Sequence, residues 1–323
     1  VEDAMIAAVH ADKDLRDVRM VLPSSMEFAY GKDENDFELR LPEGSERLEC
    51  GGYVYVDGTE HGGLVTDFGA DPDERQHVYG GMTWHGMLAA KVLSPDGGQD
   101  YLTVSGELNA VVASLIGRVG LGSVMSAPKS SSGVVVRSLR LNRYCTAYEG
   151  ICAVMASVGM APRIVCVGGA VTVAPERKRT VMRKAKVERH TLPVNHLVCL
   201  GKGELAARTV LHLYADAAGK VGKVQTLKGA MERAEVYDYS SAEESELEEK
   251  GIEKLQEYQV FAEASFSDLG ADELFIGDVV SCYDSVTDTS VSVPIEKKIA
   301  SYKANGLSVS YEAGDAVIKN GKM

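Results

Sequence analysis

Basic residues are in short supply. The 323-residue chain has 34 Lys and Arg against 47 Asp and Glu, a formal net charge of −13 at pH 7. That balance excludes a generic nucleic-acid binder, which needs surplus cations to neutralise phosphates. It leaves room for DNA that slides past without sticking. Aromatic residues are 7% of the chain with a single tryptophan, Trp84, which excludes an aromatic platform for stacking nucleotides or sugars. No run approaches the ~18 consecutive apolar residues of a membrane-spanning helix. Val1–Met20 carries Glu2, Asp3, Asp12, Asp14 and Asp17 where a secretory signal would have a basic start and an apolar block. The expectation is a protein made in the cytoplasm, with Val1 as a small second residue exposed when the initiator Met is removed. The six cysteines, Cys50, Cys145, Cys152, Cys166, Cys199 and Cys282, are far apart and mostly have apolar neighbours. Without an export signal they are expected as free, buried thiols rather than disulfides.

What is present is ordinary globular material: 45% hydrophobic and 25% charged residues. The length implies two or three domains. Glycine, with 33 residues, is enriched over the usual ~7% and predicts many turns. Phe37–Leu41 alternates with period two and stops at Pro42. Tyr53–Val56, Asp57-Gly58 and Gly63–Phe68 read as strand, turn, strand, and His77–Ser94 as a strand running into an apolar block of either type. From Tyr101 the period becomes helical. Leu108, Val111, Val112, Leu115, Ile116 and Val119 predict a helix ending at Gly120. A second helix is predicted over Thr146–Val158, with Tyr148, Ile151, Cys152, Met155 and Val158 on one face. Between them lie a polar loop, Ser123–Gly133, and a strand, Val134–Leu141. Gly168-Gly169 joins Arg163–Val167 to Ala170–Ala174 as a two-residue hairpin. After the basic stretch Arg177–Lys186 come strands at His196–Leu200 and Arg208–Tyr214. Ser240/Ser241 with Glu243/Glu244 reads as a capping box opening an acidic helix with Leu247, Ile252, Leu255 and Tyr258 inside. Leu274–Cys282, Val291–Tyr302 and Leu307–Tyr311 read as strands. Gly52–Phe68 and Gly277–Ile299 share a strand–turn–strand pattern, the second with a longer turn at Asp284–Thr289, a candidate internal repeat.

Few segments match a catalytic or cofactor-binding pattern. Gly201-Lys202-Gly203-Glu204-Leu205-Ala206 fits G-x-G-x-x-A after an apolar run. A dinucleotide site would need a helix to follow, and Arg208–Tyr214 reads as a strand, so a glycine turn between strands is expected. His190, His196 and Cys199 lack the second ligand pair of a structural zinc site. His61, His77 and His85, near Glu60, Asp67, Asp71 and Asp73, are expected as surface residues of hairpin turns, and H-E-x-x-H does not occur. There is no G-x-S-x-G and no Walker loop. Cys145 and Cys152 read as core residues, and the carboxylates of Glu243–Glu257 as a solvated face. No catalytic, cofactor-binding or metal-binding residue is assigned, and no enzymatic activity is expected.

Several segments resemble a known family when taken in order. Asn35-Asp36-Phe37-Glu38-Leu39-Arg40-Leu41-Pro42 resembles the N-D-F-x-L-x-L-P opening of phage and prophage tail proteins, and Gly52–Phe68 the hairpin that follows it. Thr83-Trp84-His85-Gly86-Met87-Leu88-Ala89-Ala90-Lys91-Val92-Leu93-Ser94-Pro95, with Asp100–Gly106 and Asn109, is similar to a motif of siphovirus-type tail proteins of Gram-positive bacteria. Asn195–Glu204 and Gly277-Asp278-Val279-Val280 also fit. The family is the tail-hub, or tail-tip, protein related in architecture to the baseplate hub of contractile-tailed phages. The resemblance covers most of the chain.

It implies a β-rich α+β fold with two related β-barrel, tail-tube-like domains and a smaller α+β insert. The first barrel would be 1–100, completed by strands from about 187–230. The insert would be 101–186, and the second barrel 187–323 with an acidic helix at about 241–258. It further implies a virion part of the tail tip, made in the host bacterial cytoplasm. The expected partners are two further copies in a homotrimer, distal tail and tube proteins, the tape measure, and tip or receptor-binding proteins. The ring would extend the tail tube and conduct DNA during ejection, its lumen acidic so that DNA passes unbound. Many relatives continue into a peptidase or cell-wall hydrolase, whereas this sequence ends at Met323, so such a domain is expected to be absent or supplied by another chain. The alternatives are a tail-associated peptidase or cell-wall hydrolase subunit, whose first suspects lie at His61–His85, and a nicotinamide enzyme built on Gly201–Ala206.

Overall fold

Side chains that alternate between apolar and charged build most of the architecture. The computed structural model describes residues 7–183, 186–189, 192–259, 262–265, 274–284, 289–304, 306–314 and 317–320. The N-terminal part forms β1 (Ala8–Ala11), β2 (Asp17–Val21), β3 (Ser25–Gly31), β4 (Asp36–Pro42), β5 (Tyr53–Tyr55), β6 (Gly62–Asp71) and β7 (Gln76–Thr83), then the short helix α1 (Trp84–Ala89). In β4, Phe37, Leu39 and Leu41 are buried while Asp36 and Glu38 are exposed, as a half-buried pleated strand requires. The Asp57-Gly58 segment does join two antiparallel strands, with Tyr53 opposite Leu64 and Tyr55 opposite Gly62.

The middle follows as β8 (Thr103–Glu107), α2 (Leu108–Arg118), β9 (Met125–Ser126), β10 (Val135–Arg140), α3 (Ala147–Ala156), β11 (Met160–Val167), β12 (Ala170–Arg177) and β13 (Thr180–Met182). Helix α2 stops where Gly120 takes φ +74, a conformation that favours glycine. A complete capping box opens α3. Glu149 N donates to Thr146 Oγ1 at 3.1 Å, and Thr146 N donates to Glu149 Oε2 at 2.8 Å. The hairpin β11–β12 turns on Gly168-Gly169, with Val167 opposite Ala170.

Next come β14 (Lys186–Arg189), β15 (His196–Leu200), β16 (Val210–Ala215), β17 (Val221–Gly222), β18 (Ala234–Asp238), α4 (Glu244–Glu257) and β19 (Ala262–Ser265). The chain closes with β20 (Val279–Asp284), β21 (Thr289–Lys303), β22 (Gly306–Ala313) and β23 (Val317–Asn320). β20 and β21 are sheet neighbours; residues 285–288 of the turn expected between them lie outside the described residues. The fold is β-rich with few helices, and among the described residues none of its sheets closes into a barrel. Among the described residues no helix is long and apolar enough to cross a membrane.

Two compact units emerge. The first comprises Val1–Val181, Asp272–Val280 and Pro294–Gly314; the second comprises Met182–Ala271, Ser281–Val293 and Asp315–Met323. In the first unit the strand order is β22, β21, β3, β4, β7, β6, β5, β1, β2. From the sequence, strands of about 187–230 are expected to complete this sheet. In the structure the strand beside β3 is Lys297–Tyr302 of β21, and β15 to β18 pair among themselves. Gly31 makes the close approach to β21 possible: a Cβ there would stand 2.1 Å from Glu296 O. Met26, Phe28, Leu39, Val65 and Tyr79 form one apolar cluster of this sheet. A second cluster gathers α1, α2 and α3 with Tyr53, Tyr55 and Trp84. Residues of the 101–186 segment thus share a core with strands from the N-terminal part.

The second unit is built on a four-stranded sheet, β17-β16-β15-β18. Leu247 and Leu255 of α4 join the apolar cluster of Leu197, Cys199, Leu213 and Ala215. The expected capping box is absent: α4 starts at Glu244, and its N-cap, Glu243, makes no side-chain cap bond. The serines precede the cap, in a turn closed by the Ala242 N to Tyr239 O bond of 3.0 Å. Glu244 and Glu246 still favour the helix start through its dipole.

Candidate functional site

The histidine-rich region turns out to be interior, in the first unit. Glu60, in the loop between β5 and β6, is buried, and so is Lys298 of β21. Lys298 Nζ donates to Glu60 Oε1 at 2.6 Å, and Tyr30 Oη donates to the same oxygen at 2.9 Å. β-pairing sets Lys298 directly opposite Tyr30. His85 stacks on Tyr30 with ring centroids 4.8 Å apart. Burial, with the Lys298 charge second, pushes the His85 pKa down to about 3. His61 Nδ1 meets Tyr302 Oη at 2.5 Å. Next to this cluster Phe275 takes three cations on its ring: Arg163 at 3.7 Å, Lys298 at 4.9 Å and Arg179 at 5.0 Å. Arg179 in turn binds the buried Asp278 at 2.6 Å.

His61 and His85 are therefore not the surface residues expected, at 2% and 1% exposure; His77 is half-buried. The reason is tertiary packing. Helix α1 is buried from Trp84 to Leu88, so His85 has no exposed face to occupy, and a neutral imidazole stacks like any ring. The cluster is closed on itself. Its carboxylate is engaged by Lys298 and Tyr30, and its fully buried imidazole stays uncharged. Its effect is to tie Phe275, Lys298 and Tyr302 to the N-terminal strands of the same unit. Removing one partner of such a pair costs about 3–5 kcal/mol.

The other sequence candidates separate. Gly201–Ala206 lies between antiparallel β15 and β16, with a single 3-10 turn at Leu205–Ala207, as a glycine turn should. It opens no α-helix of the kind a dinucleotide site needs. His190 lies outside the described residues. His196 and Cys199 fall on opposite faces of β15, since Cys199 is buried and His196 bonds Glu232 and His212. Among the described residues no group of His, Cys, Asp and Glu could hold a metal ion. Cys166 and Cys199 are buried, and burial pushes their thiols up to about 12 and about 11. Cys145 and Cys152 are half-buried, and Cys50 is exposed, contrary to the expectation of burial.

The first unit's exposed sheet face was the missed feature. Pairing places Ser301 opposite Glu27, Glu27 opposite Glu38, Glu38 opposite Gly80, and Gly80 opposite Asp67. With Glu34 and Asp36 these carboxylates line a groove of about 470 Å³. Like charges directly opposite one another destabilise a sheet, so the Glu27–Glu38 pair opposes the strand pairing. Partial relief comes from Arg40, which bonds Glu38 at 2.7 Å and Asp71 at 3.0 Å, from Ser301, which donates to Glu27 at 2.6 Å, and from Lys297 bonding Glu34. Burial, then the charge of Glu34, raises the Asp36 pKa. Five carboxylates, Glu27, Glu34, Asp36, Glu38 and Asp67, thus share this face. The alternation of Asp36 and Glu38 with Phe37 and Leu39 was a signal for one charged face; the partner carboxylates Glu27 and Asp67 could be joined to it only by pairing.

No family model matches the chain, and no curated protein matches it. Among solved structures it is similar to the tail protein from Neisseria meningitidis MC58, at 12% identity and TM-score 0.46, covering 95% of each chain. It is similar to the 43 kDa tail protein of prophage MuSo2 from Shewanella oneidensis, at 11% identity and TM-score 0.48, covering 96% of this chain and 98% of that one. It is similar also to a chain of the p2 virion baseplate in its activated conformation, at 11% identity and TM-score 0.48, covering 99% of this chain and 100% of that one. At such scores and identities these likenesses establish neither fold nor function by themselves.

Proposed function

We propose that this chain is a non-enzymatic structural protein of a phage or prophage tail, forming the hub at the tail tip or baseplate. In this reading three copies form a ring that extends the tail tube, with two tube-like β domains per copy and the helical middle segment at the periphery. The ring joins distal tail and tube proteins to the tip, and DNA leaves through it. The ordered sequence motifs support the family. The observation that carries the conduit role is the acidic row Glu27, Glu38 and Asp67, a surface that disfavours sheet pairing and repels phosphates. A sheet left open at β2 among the described residues also suits a ring closed between copies.

Light scattering on the purified chain tests the reading, with a mass of three chains expected. Imaging of the assembled particle should then place the Glu27–Asp67 face on the channel wall. A monomer at every concentration, together with a basic or neutral channel wall, overturns it.

A further inference from the structure

The second unit carries a chain of hydrogen-bonded polar side chains on the face of its sheet turned away from α4. Along β15, Leu197 and Cys199 enter the core with α4, and His196, Val198 and Leu200 take the other face. Val210, His212 and Tyr214 of β16 share that face, His212 beside Val198 and Tyr214 beside His196. His196 Nδ1 lies 2.6 Å from Glu232 Oε1, and His196 Nε2 lies 2.8 Å from His212 Nδ1. The His196 ring also stacks on Tyr214 with centroids 4.5 Å apart. The His196 side chain is 12% exposed, while His212 is exposed.

The protons can be counted. Glu232 as a carboxylate only accepts, so His196 Nδ1 carries a proton. The bond between His196 Nε2 and His212 Nδ1 holds one proton, since one nitrogen donates and the other accepts. With His212 Nε2 bare, both rings are neutral. A first added proton goes to His212 Nε2, makes the pair a single cation facing Glu232, and leaves every bond in place. A second added proton must put N–H on both sides of the 2.8 Å gap, and the bond is lost. The neighbouring strands add no charge to this row: β18 sets Ala234 beside His196 and Val236 beside Val198, and β17 sets Gly222 beside Tyr214. The charged groups next along are engaged. Arg233 donates to Leu192 O at 2.8 Å, and Arg208 pairs with Asp238 at the Leu200 end. Asn195 holds the Glu232 loop independently, through Met231 O at 2.8 Å and Arg233 N at 3.0 Å.

We infer that Glu232, His196 and His212 form a pH latch on the open sheet face of the second unit: it stays closed through the first added proton, and the second frees His212 as a solvent-facing cation. Imidazoles titrate in the range where such a device responds to acidification. The release is local, because Asn195 keeps the loop seated. Long-range ¹H–¹⁵N NMR of the full chain from pH 8 to 4.5 tests it. His196 and His212 should respond to acid as a coupled pair, and the hydrogen bond between the rings should break on the second protonation. His212→Thr should leave His196 a single step, and Glu232→Gln should move the first step to lower pH. His212 is exposed, and the amide spectrum shows that each variant is folded. Independent single-step titrations of the two rings, each unmoved by replacement of the other, overturn the latch, as does a Glu232→Gln curve identical to that of the parent protein.

Discussion

The two units handle ionisable groups in opposite ways. In the first, Glu60 and Lys298 are sealed inside, Lys298 with no exposure at all, and a neutral His85 is stacked beside them. In the second, Glu232, His196 and His212 make a bonded chain of similar length on an open sheet face. Enclosure makes the first cluster rigid: neither partner can be removed without leaving a charge in a low-dielectric site. Access to water makes the second responsive, because protons reach it and a broken bond is replaced by solvent. The same residue types therefore brace one region and let the other sense pH. Burial decides which.

The comparison breaks most visibly at Lys298. Lys298→Met should destabilise the first unit by about 3–5 kcal/mol, read by urea unfolding. Adding Glu60→Gln should recover part of that loss, and full additivity of the two changes would refute the pairing. In the second unit the sensitive point is apolar. Leu247→Ala should cost about 2–5 kcal/mol, with hydrogen-exchange protection lost over 196–258 and kept over 7–181.

Acidification sharpens the contrast. His85 has its folded pKa depressed from 6.5 to about 3, so below pH 6.5 the unfolded chain binds a proton that the folded chain refuses. The stability contributed by the neutral ring is full above pH 6.5 and is lost as pH falls toward 3. The loss approaches about 1.4 kcal/mol per pH unit. His85→Gln should flatten the fall in urea midpoint between pH 6.5 and 5, whatever it does to stability at pH 7.5.

A smaller effect separates the helices. Thr146→Ala, at a complete capping box, should cost about 1 kcal/mol, whereas Ser241→Ala, outside any cap, should change the urea midpoint by less than the error. Smallest on folding is the acidic row. Glu38→Gln with Asp67→Asn should leave stability within about 0.5 kcal/mol or raise it. A clear loss by the same measurement would show that these carboxylates brace the sheet.

Local signals were legible where the chemistry is local. The period-two run Phe37–Leu41, the helix stop at Gly120 and the Gly168-Gly169 hairpin needed only neighbouring residues to be right, and they are found where the pattern puts them. The failures have two physical forms. Ser240 and Ser241 fit a capping box by spacing, but a backbone-bonded turn holds them away from the helix start. His61 and His85 look like turn residues until strand pairing brings Tyr30, Lys298 and Tyr302 against them.

By itself, then, the sequence determined the excess of acid over base, the strands and helices that short-range periodicity encodes, and a glycine turn where a nucleotide loop was conceivable. Tertiary structure alone decided that Lys298 closes on Glu60 across more than two hundred residues, that Glu27, Glu38 and Asp67 form one row, and that His196 reaches both Glu232 and His212. The division is physical. Alternation and capping act over a few residues and leave a trace in order, whereas pairing between distant strands depends on register, which no single strand carries.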